Sequence, residues 1–100
     1  MWIFRARTSE GAEPLVFRLR AGAIKTLGRA TRADFIVDEA LVSRVHCRFT
    51  AGTRGSLEVE DLGSTNGTFV NGKRVKTSRL ASGDSVRVGR VEIDITEATH

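Results

Sequence analysis

The sequence predicts an all-β fold, a sandwich or barrel of short antiparallel strands, and three observations carry that prediction. Short apolar runs alternate with clusters of Gly, Asn, Asp and Ser along the whole chain. Such regular spacing of strand and turn signals is the mark of sandwiches and barrels. Val91-Glu92-Ile93-Asp94-Ile95 alternates strictly between apolar and charged residues, the period of a half-buried strand. Asn71-Gly72, set between Val70 and Lys73, is the dipeptide that favours a type I′ hairpin turn.

The elements follow in order. Trp2–Arg5 and Leu15–Leu19 read as the first two strands, with Gly11 and Pro14 marking the turn between them. Ala23–Leu27, Phe35–Val37, His46–Thr50, Leu57–Glu60, Thr68–Val70, Ser85–Val88 and Val91–Ile95 complete the set. Gly89-Arg90, between the last two, predicts a type II′ turn. Phe35–His46 reads two ways. Val37, Leu41 and Val45 fall at helical i,i+4 spacing, which would make a two-turn helix. Alternatively, a strand at Phe35–Val37 leads into a loop over Asp38–Arg44 and a new strand near Val45. The tail Glu97–His100 is expected to fray.

One hundred residues, forty per cent of them apolar, are enough for one domain over residues 1–100 with its own core. No apolar run approaches the roughly 18 residues of a membrane span. Met1-Trp2-Ile3-Phe4-Arg5 also lacks the layout of a secretory signal. An intracellular, cytoplasmic protein is expected. The single cysteine, Cys47, cannot form an internal disulfide, which fits a reducing compartment. The formal charge is +4 and the pI about 10.2. Most of the basic residues are arginine, the side chain suited to bidentate contact with phosphate. An anionic partner follows, although the basic residues are scattered and most read as a solvated surface.

Asp61-Leu62-Gly63-Ser64-Thr65-Asn66-Gly67-Thr68 is the most informative stretch. Small, polar, turn-forming residues are packed between two strand-like runs. They supply positive φ, side-chain-to-backbone bonds and exposed amides, which is how a loop presents polar groups to a ligand. Three further elements accompany it: Gly28-Arg29, Ser43-Arg44-Val45-His46, and Asn71-Gly72. In this order and spacing, over about residues 24 to 95, the chain resembles the forkhead-associated (FHA) domain family, whose members bind phosphothreonine in partner proteins.

The resemblance implies a two-sheet antiparallel β-sandwich with ligand-binding loops at one end, and it favours the strand–loop–strand reading of Phe35–His46. It assigns phosphate contacts to Arg29 and Ser43, with Arg44 as a second cation beside them. Thr65 would help hold the phosphate, and Asn66 would bond the backbone of the bound peptide. His46 would be architectural, tying the two binding loops together, while Gly28, Gly63 and Gly67 permit the backbone path.

A metal role for His46 has little support, because His100 and Cys47 are the only other imidazole and thiol. On a strand His46 and Cys47 would point to opposite faces, leaving Cys47 with Phe49 on the core side. Gly67–Arg74 imitates a phosphate-binding nucleotide loop, G-x-x-x-x-G-K-R, but Arg74 cannot supply the hydroxyl needed for Mg²⁺ and no helix pattern follows. No catalytic constellation and no cofactor is expected.

The leading reading is a non-catalytic module that binds phosphothreonine proteins, targets of a serine/threonine kinase. A basic nucleic-acid-binding domain is the rival from another class. Against it, aromatics are few, and five of the six lie in strand patterns with apolar neighbours, as core residues do. An FHA-fold interaction module independent of phosphate is the third reading, opposed by the intact Arg29, Ser43 and Asn66.

Overall fold

The computed structural model describes residues 1–8 and 13–98; the predicted turn residue Gly11 and the tail residues 99–100 lie outside them. The strands are β1 (Trp2–Arg7), β2 (Leu15–Leu19), β3 (Ile24–Gly28), β4 (Phe35–Ile36), β5 (Cys47–Ala51), β6 (Leu57–Asp61), β7 (Thr68–Val70), β8 (Lys73–Val75), β9 (Thr77–Leu80), β10 (Ser85–Val88) and β11 (Val91–Glu97). They form a six-stranded sheet, β2-β1-β11-β10-β7-β8, and a five-stranded sheet, β4-β3-β5-β6-β9. Every pairing is antiparallel except that of β3 with β4.

Alternation decides which side of each strand faces in. Trp2, Phe4 and Ala6 on β1 pack with Ile93 and Ile95 on β11, and Phe49 and Val59 come up from the other sheet. Phe4 lies edge-on to Phe35 and tilted on Phe49, while Phe17 stacks on Phe35 where the free edges of the two sheets meet. Five of the six aromatics therefore belong to the core or pack against it; Phe69 does not. Each such buried side chain contributes about 1.5–3 kcal/mol.

Two of the predicted turns take their expected form. Asn71 and Gly72 have φ of 50° and 85°, as a type I′ turn requires. Gly89 alone of its pair has positive φ, 59°, as in type II′.

The helical spacing in Phe35–His46 is not used. β4 ends at Ile36, Val37 donates its amide to the Gly28 carbonyl, and an irregular loop runs to His46. Val37 is buried, Leu41 exposed and Val45 half-buried, so the three apolar positions do not form one helical face. β8 and β9 were not foreseen. Lys73–Leu80 has few apolar residues, because both strands sit at sheet edges with little surface to bury. Glu97, assigned above to a fraying tail, instead ends β11.

Candidate functional site

The site is built where β3 ends. A Cβ on Gly28 would stand 2.1 Å from the Arg44 carbonyl oxygen, so only glycine lets the β3 backbone approach the following loop this closely. The approach is sealed by two bonds just after Gly28: Arg29 N–H to the Ser43 carbonyl, 2.9 Å, and Ala30 N–H to the Arg44 carbonyl, 3.0 Å. Arg29 is exposed. Its Nε–H donates to the Val42 carbonyl at 3.0 Å, which anchors the guanidinium by its inner edge. The two terminal nitrogens have no protein partner among the described residues.

His46 joins this loop to the second one. It is fully buried immediately before β5, one residue later than the predicted strand start. Nδ1 accepts the Ser43 amide at 3.1 Å, so that nitrogen carries no proton. Nε2 lies 2.9 Å from the Gly67 carbonyl and therefore donates to it. Only the neutral ring with its proton on Nε2 makes both bonds. Burial holds its pKa below the usual histidine value, opposed by the Gly67 carbonyl and the charge of Asp61. The backbone adds a third tie, from the Leu62 amide to the His46 carbonyl. Cys47 faces the core, where burial pushes its thiol pKa far up.

The second loop is organised by Asp61. Oδ2 accepts the amides of Gly63 and Ser64, and Oδ1 accepts the hydroxyls of Ser64 (2.5 Å) and Thr68 (2.7 Å). Burial works to raise its pKa, and these four bonds together outweigh it and leave the carboxyl below the ordinary value. Ser64 Oγ also accepts the Gly67 amide. Gly63 and Gly67 hold φ of 77° and 90°, left-handed conformations in which other residues are strained.

So placed, the loop meets the first. The Thr65 amide donates to Ser43 Oγ at 3.1 Å, and Asn66 Nδ2 donates to the Leu41 carbonyl at 2.9 Å. Arg29, Ser43, Thr65 and Asn66 are thereby brought to one end of the sandwich. Arg44 stands beside Ser43 with its side chain exposed and its carbonyl committed to Ala30. Asp61, Ser64 and Thr68 are the site residues that reading by residue did not single out. Their signal was present: an Asp opening a run of small polar residues is the mark of a loop closed on its own backbone amides.

Among the described residues no helix is long and apolar enough to cross a membrane. The FHA domain family model matches residues 25–89. The chain is 40% identical over 72 residues, 72% of its length, to the oxoglutarate dehydrogenase inhibitor of Corynebacterium diphtheriae, of which it spans 50%. It is 39% identical over 85 residues, 85% of its length, to an ABC transporter ATP-binding/permease protein of Mycobacterium tuberculosis, of which it spans 10%. The chain thus covers half or less of these curated relatives. A domain solved in a structural and functional analysis of phosphothreonine-dependent FHA domain interactions superposes with a TM-score of 0.83 at 31% identity, over 98% of this chain and 99% of that one. With a family match across most of its length, on a sandwich whose two loops are joined through a buried histidine, the chain belongs to the FHA domain family.

Proposed function

We propose that this chain is a non-catalytic, cytoplasmic module that binds phosphothreonine in proteins modified by a serine/threonine kinase. The observation that carries the proposal is the Ser43 hydroxyl. Its oxygen is taken by the Thr65 amide, so its proton is left to donate outward, beside the two unpartnered nitrogens of Arg29. Phosphothreonine brings about −1.5 to −2 charges and three strong acceptor oxygens. Arg29 and Arg44 supply the cations, and Ser43 and Thr65 the neutral donors. Asn66 spends one N–H on Leu41 and keeps its carboxamide oxygen and second N–H for the peptide backbone.

Charge-assisted bonds of this kind are worth about 1.5–3 kcal/mol each. Three or four of them reach micromolar affinity, about −8 kcal/mol. Calorimetry with a phosphothreonine peptide, its unphosphorylated twin and its phosphoserine analogue tests the reading. The phosphothreonine peptide should bind at micromolar affinity or better, and the twin should not bind measurably. The phosphoserine form, equal in charge but lacking one methyl group, should bind several-fold more weakly, since burying a methyl is worth about 0.8 kcal/mol. Equal affinity for the phosphorylated peptide and its twin would overturn the assignment.

A further inference from the structure

The two outer faces of the sandwich differ in charge. On the five-stranded sheet Arg48 and Arg79 are matched by Glu58 and Glu60, and Arg48 is ion-paired with Glu60. The six-stranded sheet carries five outward arginines, Arg5, Arg7, Arg18, Arg74 and Arg87, against two carboxylates, Glu92 and Asp94. Among the described residues only Arg7 of these arginines has an ion-pair partner, Asp94. Glu92 accepts the Ser85 hydroxyl instead.

Register places the excess in a defined row. Arg7, Glu92, Arg87, Phe69 and Arg74 are successive cross-strand neighbours on β1, β11, β10, β7 and β8. Phe69 is the one aromatic that faces away from the core, and the Arg87 guanidinium lies 4.0 Å above its ring. At the far end of the row, Arg74 Nε sits 2.8 Å from where a Cβ of Gly67 would stand, so the row runs into the second binding loop.

We propose that this row is a second docking surface, for an acidic segment of the same partner that presents the phosphothreonine. The proposal rests on the phosphothreonine reading above and extends it. Aromatic and arginine side chains are those most enriched where partners bind tightly. The pairing with Phe69 holds the Arg87 fork in place before any partner arrives, which lowers the ordering cost of binding. Arg74 and Arg87 are two strands apart, roughly 9–10 Å, which an extended peptide covers in about three residues. Acidic residues about three apart are therefore the matching pattern. A nucleic acid fits less well, because Arg87 already covers the Phe69 face that a base would stack on.

Calorimetry on the whole chain tests this with a short phosphothreonine peptide and the same peptide carrying an acidic tail, Asp at every third position, on either end. One tailed peptide should bind about three- to tenfold tighter at 50 mM salt, with the gain shrinking at 200 mM. Arg87→Gln should remove the gain and leave the short peptide's affinity unchanged. Arg5→Gln with Arg18→Gln, on strands far from the loops, should remove none or only part of it. No gain with either tail, or a gain that survives both Arg87→Gln and Arg74→Gln, overturns the proposal. If the short peptide itself does not bind, the phosphothreonine reading has failed. The row is then probed by backbone amide shifts with the unphosphorylated acidic peptide, where shifts confined to β7, β8 and β10 support it and their absence sinks it. Tighter binding of a single-stranded oligonucleotide of equal charge to the same strands would replace the acidic segment with nucleic acid.

Discussion

Replacing His46 with alanine removes the buried side chain that bonds both loops of the candidate site, and its cost follows from what is left behind. The Ser43 amide and the Gly67 carbonyl each lose their partner. An unsatisfied buried polar group costs about 1–3 kcal/mol. The vacated imidazole volume adds about 1 kcal/mol or more, since the site is fully buried and bounded by β-sheet. Ser43 is only half-buried, so water reaches one of the two orphaned groups, and the lower half of the range applies. The sum is about 3 kcal/mol, which for a domain of this size is roughly 12–24 °C in melting temperature. Peptide affinity should fall about tenfold or more, because Ser43 and the loop carrying Thr65 must then be ordered by the ligand. His46→Asn should lie between, as its shorter amide reaches only one of the two partners. Thermal denaturation by circular dichroism and calorimetric titration read both effects. A melting temperature within about 3 °C of the unchanged protein, with the same peptide affinity, would refute the role of the histidine as the tie between loops.

Arg29→Ala should abolish measurable phosphopeptide binding while lowering the melting temperature by only a few degrees, since an exposed side chain gives up one hydrogen bond worth about 0.5–1.5 kcal/mol; a variant that unfolds would show the arginine to be structural. Gly28→Ala should cost at least about 3 kcal/mol by denaturant titration, because a methyl 2.1 Å from a backbone oxygen must push β3 and the following loop apart; near-wild-type stability would show that the approach is looser than described. The pH dependence of stability should fall in two steps. His46 is held below its ordinary 6.5, so the unfolded chain binds the extra proton and stability drops as pH falls from about that value. Asp61 is held below 3.8, so its contribution is lost only below that pH, as the native carboxylate is protonated. A melting temperature flat between pH 7 and 5, and equally flat in His46→Ala, would remove the first step.

How much of this was legible depends on what each residue answers to. Alternation on β11 and β10 reports burial of one face, and sequence shows it directly. Lys73–Leu80 reports nothing of the kind, because edge strands need only pair on one side and their residues stay polar. The i,i+4 spacing of Val37, Leu41 and Val45 makes no helix, and the strand–loop–strand reading holds. Their roles are set by contacts distant in sequence: Val37 by the Gly28 carbonyl, and Leu41 by the carbonyl it offers Asn66 and by the close approach of Gly89. Within the site, the groups proposed to meet a ligand were named through the family resemblance, whereas Asp61, Ser64 and Thr68 were not singled out. They act inward, on their own loop, and an Asp-led run of small polar residues signals a braced loop without showing which side chains brace it.

That inward work bears on charge. Asp61 is the only carboxylate between the start of the second loop and the end of β7. A free carboxylate there would compete with phosphate for Arg29, much as an acidic neighbour weakens any anion site. Both its oxygens are instead engaged by two amides and two hydroxyls, none of them from an arginine. Neutral donors satisfy the negative charge locally, and no arginine is spent on it. The same holds across the two loops: Arg29 is anchored by a carbonyl, and Arg44 contributes its backbone to Ala30 while its side chain has no partner among the described residues. Loops braced in this way by backbone and neutral groups keep their cations available. Removing the bracing and removing the cations should therefore weaken binding by different routes, the first with loss of stability and the second without it.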